Sequence, residues 1–549
     1  MSVQNARAFN MNARDVSHVG RDQHIHYHSH RTSDSPELAI RVDTLEGGPL
    51  RSIPYQLPPV PCACDPSLQS SLRYALLLLQ EKQGYPLWSP QPNPTLPEEY
   101  VCEGIRIGDV GIVHHDKSFD FLFNITYPAH HPINHRGVPD GFTQVRLEDL
   151  DIIEDSEFRN SDSYVVGPRH VLSRSRVLDE NSGEGFDRPY RFTASNHQGA
   201  VLVLPEGSSR ATLESKAIFL NYAKAHANEW FSYAEHRRGR VFPDGTDPSL
   251  YLVTGWEKCS AWGISSYFVP PFSQETVNLT FNAHKGESRT YSWSHNGRCD
   301  TRSHPSTRWP LTAEPRTNQS VFVRGFKISR FRGLPKWLWR GFKVQDVTEI
   351  TAKEVLDLPA DTSASCSSSS STNFMPSYSY KNENTSGSTR QQIRSGDITD
   401  EIIIDDSSAL EQVSFHPCDA VNDFMHNIAS QSTGSLISFA ISHDDDWISS
   451  IGNDEETSLL EPNSAIELIT YEFLKNLCHK FTIVVDKNIV HTEPMSQPTY
   501  PNPLNDIIAR VKVKGDGEHE LQEPAGEAFE PTWVRGAGNL PWCTCRILE

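Results

Sequence analysis

Three groups of residues have the types and spacing that chemistry or recognition requires. The first is a ladder of four histidines, His24, His26, His28 and His30, separated by single residues such as Ile25 and Tyr27. On an extended strand, side chains at i and i+2 share a face, so the four imidazoles would offer one row of nitrogen ligands to Zn²⁺ or Ni²⁺. No partner pair of Cys or His stands at zinc-site spacing, and a polar, metal-free terminus is the plainer expectation. Stacking of residues 18–27 between copies is a third reading, which the charges of Arg21 and Asp22 oppose.

The second group is the basic, aromatic stretch Arg324–Lys343, RGFKISRFRGLPKWLWRGFK, with seven cations, no acid and five interleaved aromatic rings. Cations attract phosphate, Trp favours a membrane interface, and the same mixture can stack on single-stranded nucleic acid. Gly325, Gly333, Pro335 and Gly341 argue against one continuous amphipathic helix. Arg330, Arg332, Trp337, Trp339, Arg340 and Lys343 are the expected contact residues. The competing expectation is a strand and loop whose rings are core and whose cations are paired or solvated.

The third group gathers His114, His115, His130, His131 and His135 near Asp109, Asp116 and Asp120. Such groups could share proton transfer if the fold brought them to one mouth of a sheet. The run His443-Asp444-Asp445-Asp446-Trp447 invites a divalent-cation reading, but it lacks the alternating oxygens and turn glycine of a calcium loop. It reads instead as a solvated loop after a strand, anchored by Trp447. No Gly-x-Ser-x-Gly, His-Glu-x-x-His, P-loop or kinase signature occurs, so no catalytic residue and no cofactor is expected.

The elements that would position these groups are unevenly charged. Residues 1–360 hold 39 Lys+Arg against 41 Asp+Glu, a net of −2, whereas 361–549 hold 11 against 29, a net of −18. The break falls at the serine run Ser363–Ser371. The acidic region is a candidate intramolecular partner for the basic stretch, since opposite charges steer association. No run of 18 apolar residues and no apolar stretch at the start is present, which points to a cytoplasmic chain with free thiols.

Leu68, Leu72, Leu76 and Leu79 keep helical spacing after Asp65-Pro66 and before Gly84. Gly104–Val113 and Phe119–Ile125 read as strands. Ala200–Leu204 reads as a strand and Gly207-Ser208-Ser209 as a helix cap. The apolar steps from Leu213 to Ala234, between that cap and a stop at Gly239, then predict one long helix of about 28 residues, roughly 42 Å. Tyr251–Thr254, Trp262–Phe268, Val277–Phe281, Ser288–Trp293 and Val321–Ile328 continue as strands, joined mostly by short connections that favour antiparallel pairing. Later, Leu436–Ile441, a helix from Ser464 to Cys478 and Phe481–Val485 suggest a small β–α–β unit.

The segments GYPLWSPQPNPTLPEEYVCEGIRIGDVGIVHHDKSFDFLFNITYPAHHPIN (Gly84–Asn134), LYLVTGWEKCSAWGISSYF (Leu250–Phe268) and SHDDDW (Ser442–Trp447) resemble a set of proteins from mushroom-forming fungi. Those proteins share Gly-Tyr-Pro-Leu-Trp, Ile-Gly-Asp-Val-Gly and Tyr-x-Val-Thr-Gly motifs. The leading FNMNARDVSHVGRDQHIHYH resembles segments that in such genomes can precede immune-receptor-type nucleotide-binding domains. The resemblance covers about two-thirds of the chain and implies a shared fold in a fungal cytosol, with no assigned activity.

The expected fold is α+β, an antiparallel sheet with one long helix, plus a small acidic α/β module after a disordered linker. The expected divisions are 1–66, polar, His- and Pro-rich and mostly disordered; 67–358, the body; 359–431, a Ser-rich disordered linker; 432–492, the module; and 493–549, an acidic Pro-rich tail. The expected function is a non-enzymatic interaction or scaffold protein with a protein partner. A membrane-active effector that binds anionic lipid is the alternative, followed by an enzyme using the loop 114–135. Nucleic acid is the least favoured partner.

Overall fold

A computed structural model describes residues 38–45, 48, 50–57, 68–167, 172–176, 190–194, 197–242, 248–270, 276–284, 288–306, 309–310, 316–331, 415–452, 469–495 and 507–514. Helices and strands are mixed, as α+β requires, and the largest unit is a thirteen-stranded sheet. Its backbone is the pair Ser249–Cys259 and Gln319–Arg330, antiparallel over their whole length. Along Ser249–Cys259 the side chains alternate. Tyr251 and Val253 enter one core with Leu72–Leu79 and Phe424, while Leu250 and Leu252 enter another with Phe219 and Trp230. The strand is therefore apolar on both faces because both faces are covered.

Two smaller sheets complete the body. The strands Ser163–Gly167, Gln198–Leu204, Trp262–Phe268 and Cys299–His304 form one, and Leu172–Arg176, Tyr190–Ala194, Val277–His284, Ser288–His295 and Trp309–Pro310 the other. Ala200, Leu202 and Leu204 face the core containing the helix Ser70–Leu79, and Val201 and Val203 face Phe192 and Phe281 in the next layer. The layers run helix, large sheet, helices, small sheet, small sheet.

Several expectations give way here. The helix Lys216–Ser232 has 17 residues and continues as a short wider turn, Tyr233–Arg237, so it falls short of the expected 28. Ser208–Leu213, expected to cap and begin it, is a strand paired with Ser249–Cys259. A second helix of equal length, Pro417–Thr433, occupies part of the expected linker. It buries Val421, Phe424, Met425 and Ile428, the i, i+3, i+4, i+7 stripe of an amphipathic helix.

The sheet also runs across the expected boundaries. Phe439–His443, assigned to a separate module, pairs antiparallel with Phe326–Arg330 of the body. Leu38–Thr44, from the segment expected to be disordered, pairs in parallel with Ile508–Lys514, from the expected tail. Period-two alternation explains both, since Ile40 and Val42, and Ala509 and Val511, are buried. Pro54 falls on the outermost strand, Arg51–Tyr55, where a missing N–H costs no ladder bond. Parallel pairs also join Phe439–His443 to Ile489–Pro494 and Phe481–Asp486 to Ile508–Lys514, so the sheet is mixed rather than antiparallel.

Gly325 lies in the pair of the two longest strands, opposite Val253. A Cβ there would sit 2.2 Å from the Leu252 carbonyl oxygen and 2.7 Å from the Tyr251 ring. Backbone cannot yield as a flexible side chain can, so Gly325→Ala is expected to lose about 1–3 kcal/mol of stability. Urea unfolding measures this, and an unchanged midpoint would contradict the packing described.

Candidate functional site

The sequence-predicted groups fare differently. In the basic stretch, Arg324–Phe331 lies within the central strand or at its end. Phe326 is core, and Phe331 stacks on His426 with ring centroids 3.7 Å apart. Arg324 donates to the carbonyl oxygens of Gln83 and Lys82, and Lys327 lies 3.3 Å from Asp419. Arg330, expected as a contact residue, is ion-paired to Glu235 and lies over the Phe231 ring. Arg332, Trp337, Trp339, Arg340 and Lys343, on which the membrane and nucleic-acid readings rest, lie outside the described residues, as do His24, His26, His28 and His30.

The His/Asp loop does not converge. His114 Nε2 lies 3.6 Å from Asp120, which also pairs with Arg240. Asp116 accepts hydrogen bonds from Ser118, and His131 accepts from the Ile133 amide. Asp109 is buried and accepts from Tyr100, the Arg106 amide and Asn124. Burial pushes Asp109 up to about 7, against those hydrogen bonds, and it serves as a structural knot.

The densest constellation is one that sequence reasoning missed, where His416, Cys418 and Asp444 meet. Two helix starts build it. Pro417 opens the helix Pro417–Thr433, and the His416 ring nitrogen Nδ1 accepts the Cys418 N–H at 3.1 Å. His443 ends its strand and caps the helix Asp444–Ser450, its Nδ1 accepting the Asp445 N–H at 3.0 Å. In return Asp446 accepts the His443 N–H at 2.8 Å. The acidic run is thus a buried helix N-terminus, where carboxylates meet free N–H groups, and not a solvated loop. Trp447 is the anchor that the sequence suggested, with no exposed surface.

Asp444 is the hub. Its Oδ2 accepts from the Tyr251 hydroxyl and, at 2.9 Å, from the Gly325 N–H. Its Oδ1 accepts from Trp447 Nε1 at 2.7 Å and lies 3.5 Å from both Cys418 Sγ and His416 Nε2. Burial pushes Asp444 up to about 6, while bonds from Tyr251, Trp447 and Gly325 favour its charged form. Burial also drives the Cys418 thiol well above its ordinary range, with nearby Asp444 adding to the effect, and holds His416 well below its own. An activated cysteine needs the reverse shifts and an opening to solvent. His416 is 1% exposed and Cys418 and Asp444 are wholly buried, so the trio does not work as a nucleophile, base and orienter.

The same three atoms suit a metal. All three lie within 4.8 Å of one another. Tetrahedral zinc with Cys, His and Asp ligands places donor atoms about 3.3–3.6 Å apart, matching the two 3.5 Å separations. The cost is the His416 cap, because a metal at Nε2 puts the ring proton on Nδ1. That cap contributes about 1 kcal/mol.

Lys117 stands near this cluster with no exposed surface, and its Nζ has no hydrogen-bond partner. Burial, reinforced by Lys327, lowers its pKa to about 7.

A scan against protein-family models finds no match to this chain, and a search of curated proteins finds none either. The functional reading therefore stands on geometry.

Two predictions follow the electrostatics. The unfolded chain protonates His443 near pH 6.5, whereas in the fold desolvation lowers its pKa to about 3. Below pH 6.5 the unfolded state holds the extra proton, so the stability present above that pH is lost as pH falls toward 3. His443→Asn keeps a capping side chain without this titration. The stability gap between wild type and variant should shrink by about 1.4 kcal/mol per unit as pH drops below about 6, measured by urea unfolding. A constant gap would contradict the burial of a neutral ring. Lys117→Met removes an unpartnered amine and should raise stability by about 1–3 kcal/mol at neutral pH in thermal or urea unfolding.

Proposed function

We propose that this chain is an interaction or scaffold protein whose body receives a basic, extended segment of a partner protein. The observation that carries this reading is the edge strand Ile152–Arg159. It ends the main path of the large sheet, paired with Ser208–Leu213, and no strand covers its other side among the described residues. Residues 153–157 are all exposed, so neither face is covered there. Ile153 is 59% exposed and Leu150, just before the strand, 83%. Glu148, Glu154, Asp155 and Glu157 surround these apolar side chains with negative charge.

An open sheet edge offers backbone donors and acceptors to an added strand, which proteins normally suppress with charge. Acids on the edge repel like copies and acidic strands while admitting a basic one. A polar cleft of about 320 Å³, lined in part by Ser156, Glu157, Asn160, Glu206 and Ser208, adjoins the strand's end and gives room for side chains. The chemistry-bearing side chains elsewhere hold the fold together, which agrees with a binding role.

The test is fluorescence anisotropy of the full chain with a labelled peptide of residues 332–343 as a basic, aromatic probe. Salt-sensitive binding is expected, weakened more than about tenfold when Glu154, Asp155 and Glu157 are together changed to Lys. Absence of binding, or equal binding by the variant, would overturn the proposal.

A further inference from the structure

We propose that His416 Nε2, Cys418 Sγ and Asp444 Oδ1 bind one structural transition-metal ion of the zinc class, acquired as the chain folds. The spacing alone would be a weak argument, since buried polar clusters need no ion. The second observation is His416 Nε2 itself, a buried ring nitrogen without a hydrogen-bond partner, 3.5 Å from the carboxylate oxygen it faces. Its other nitrogen accepts from the Cys418 N–H, so in the ion-free protein the ring carries its proton on Nε2 and aims an unsatisfied N–H at Asp444. An ion between the three atoms satisfies Nε2 as a ligand, and the Nδ1 cap on the Cys418 N–H is what it gives up.

The charges balance. The Cys418 thiol proton passes to solvent, the ring proton of His416 moves from Nε2 to Nδ1, and Asp444 is ionised. A divalent cation with one thiolate and one carboxylate is then neutral, as a sealed site requires. Lys327 and Lys117 face His416 and oppose a cation there, but Lys327 is matched by Asp419. The imidazole, thiolate and carboxylate favour zinc or cobalt over magnesium or calcium. Tyr251 and the Gly325 N–H hold Asp444 from the other oxygen, and Tyr85 stacks on His416 at 4.2 Å, the outer-shell support metal ligands usually have. The ion would tie the start of the Pro417–Thr433 helix to the start of the Asp444–Ser450 helix.

The experiment unfolds the full chain with chelator and refolds it with Co²⁺, because the sealed site admits no ion to the folded protein. One cobalt per chain is expected, with the near-ultraviolet absorption of a thiolate–cobalt bond, which the histidine ladder cannot produce. Cys418→Ser should abolish that band even though Cys62, Cys64, Cys543 and Cys545 remain. His416→Asn keeps a side-chain acceptor for the Cys418 N–H, so it should refold while affinity falls by more than about 100-fold, beyond what outer-shell changes cause. No bound cobalt in the wild type, or the same band and affinity in His416→Asn, would overturn the proposal even if Cys418→Ser failed to fold.

Discussion

The structure depends on one buried carboxylate. Asp444 takes hydrogen bonds from a tyrosine on one long strand, a backbone amide on the next and a tryptophan on its own helix, and it lies against the cysteine that begins another helix. Hydrogen bonds to a charged group contribute about 1.5–3 kcal/mol each, and a buried charge stripped of them is strongly destabilising. Residues 251, 325, 418 and 444 must therefore be in place together. The chain on either side of the long 332–414 interval is joined through this contact as well as through strand pairing.

The Tyr-x-Val-Thr-Gly, Ser-His-Asp-Asp-Asp-Trp and Ile-Gly-Asp-Val-Gly motifs acquire a physical meaning from the same contact. In the Tyr-x-Val-Thr-Gly motif, Tyr251 bonds Asp444, and the hydroxyl of Thr254 lies 2.7 Å from His443 Nε2. Asp444 and His443 belong to the Ser-His-Asp-Asp-Asp-Trp motif, whose Trp447 closes the hub and whose Asp446 holds Thr492 from the neighbouring strand. The aspartate of Ile-Gly-Asp-Val-Gly organises a second buried knot with Tyr100 and Asn124. Asp109, Asp446 and His443, which look like candidates for chemistry, are thus held in the core, the two acids pushed up and the histidine pushed down by loss of water. That pattern specifies a fold.

Much of the body was legible because its signals are local. The helix Ser70–Leu79 followed from leucine spacing, and Gln198–Leu204 and Trp262–Phe268 from short apolar runs. The Pro417–Thr433 stripe is equally regular, but it follows a serine-rich stretch whose composition masks the period. Leu38–Thr44 and Ile508–Lys514 fared the same way, since each makes sense as a strand only beside the other and no local pattern announces a pairing across more than 450 positions. The candidate site was illegible for a related reason. His416 and Cys418 are ordinary in sequence, and only the fold brings them to Asp444. His416-Pro417-Cys418 before an apolar stripe was the one available signal, a capping histidine at a helix start.

The central claim is that the Asp444 contact makes the later segment and the body one cooperative unit. Native-state hydrogen exchange on the full chain tests it most directly, comparing amides of the helix Pro417–Thr433 with those of the strand Gln319–Arg330. The account predicts that both sets open with the same free energy and that Asp444→Ala lowers both alike. A helix that opens far more easily than the strand, with the strand unaffected by Asp444→Ala, would contradict it.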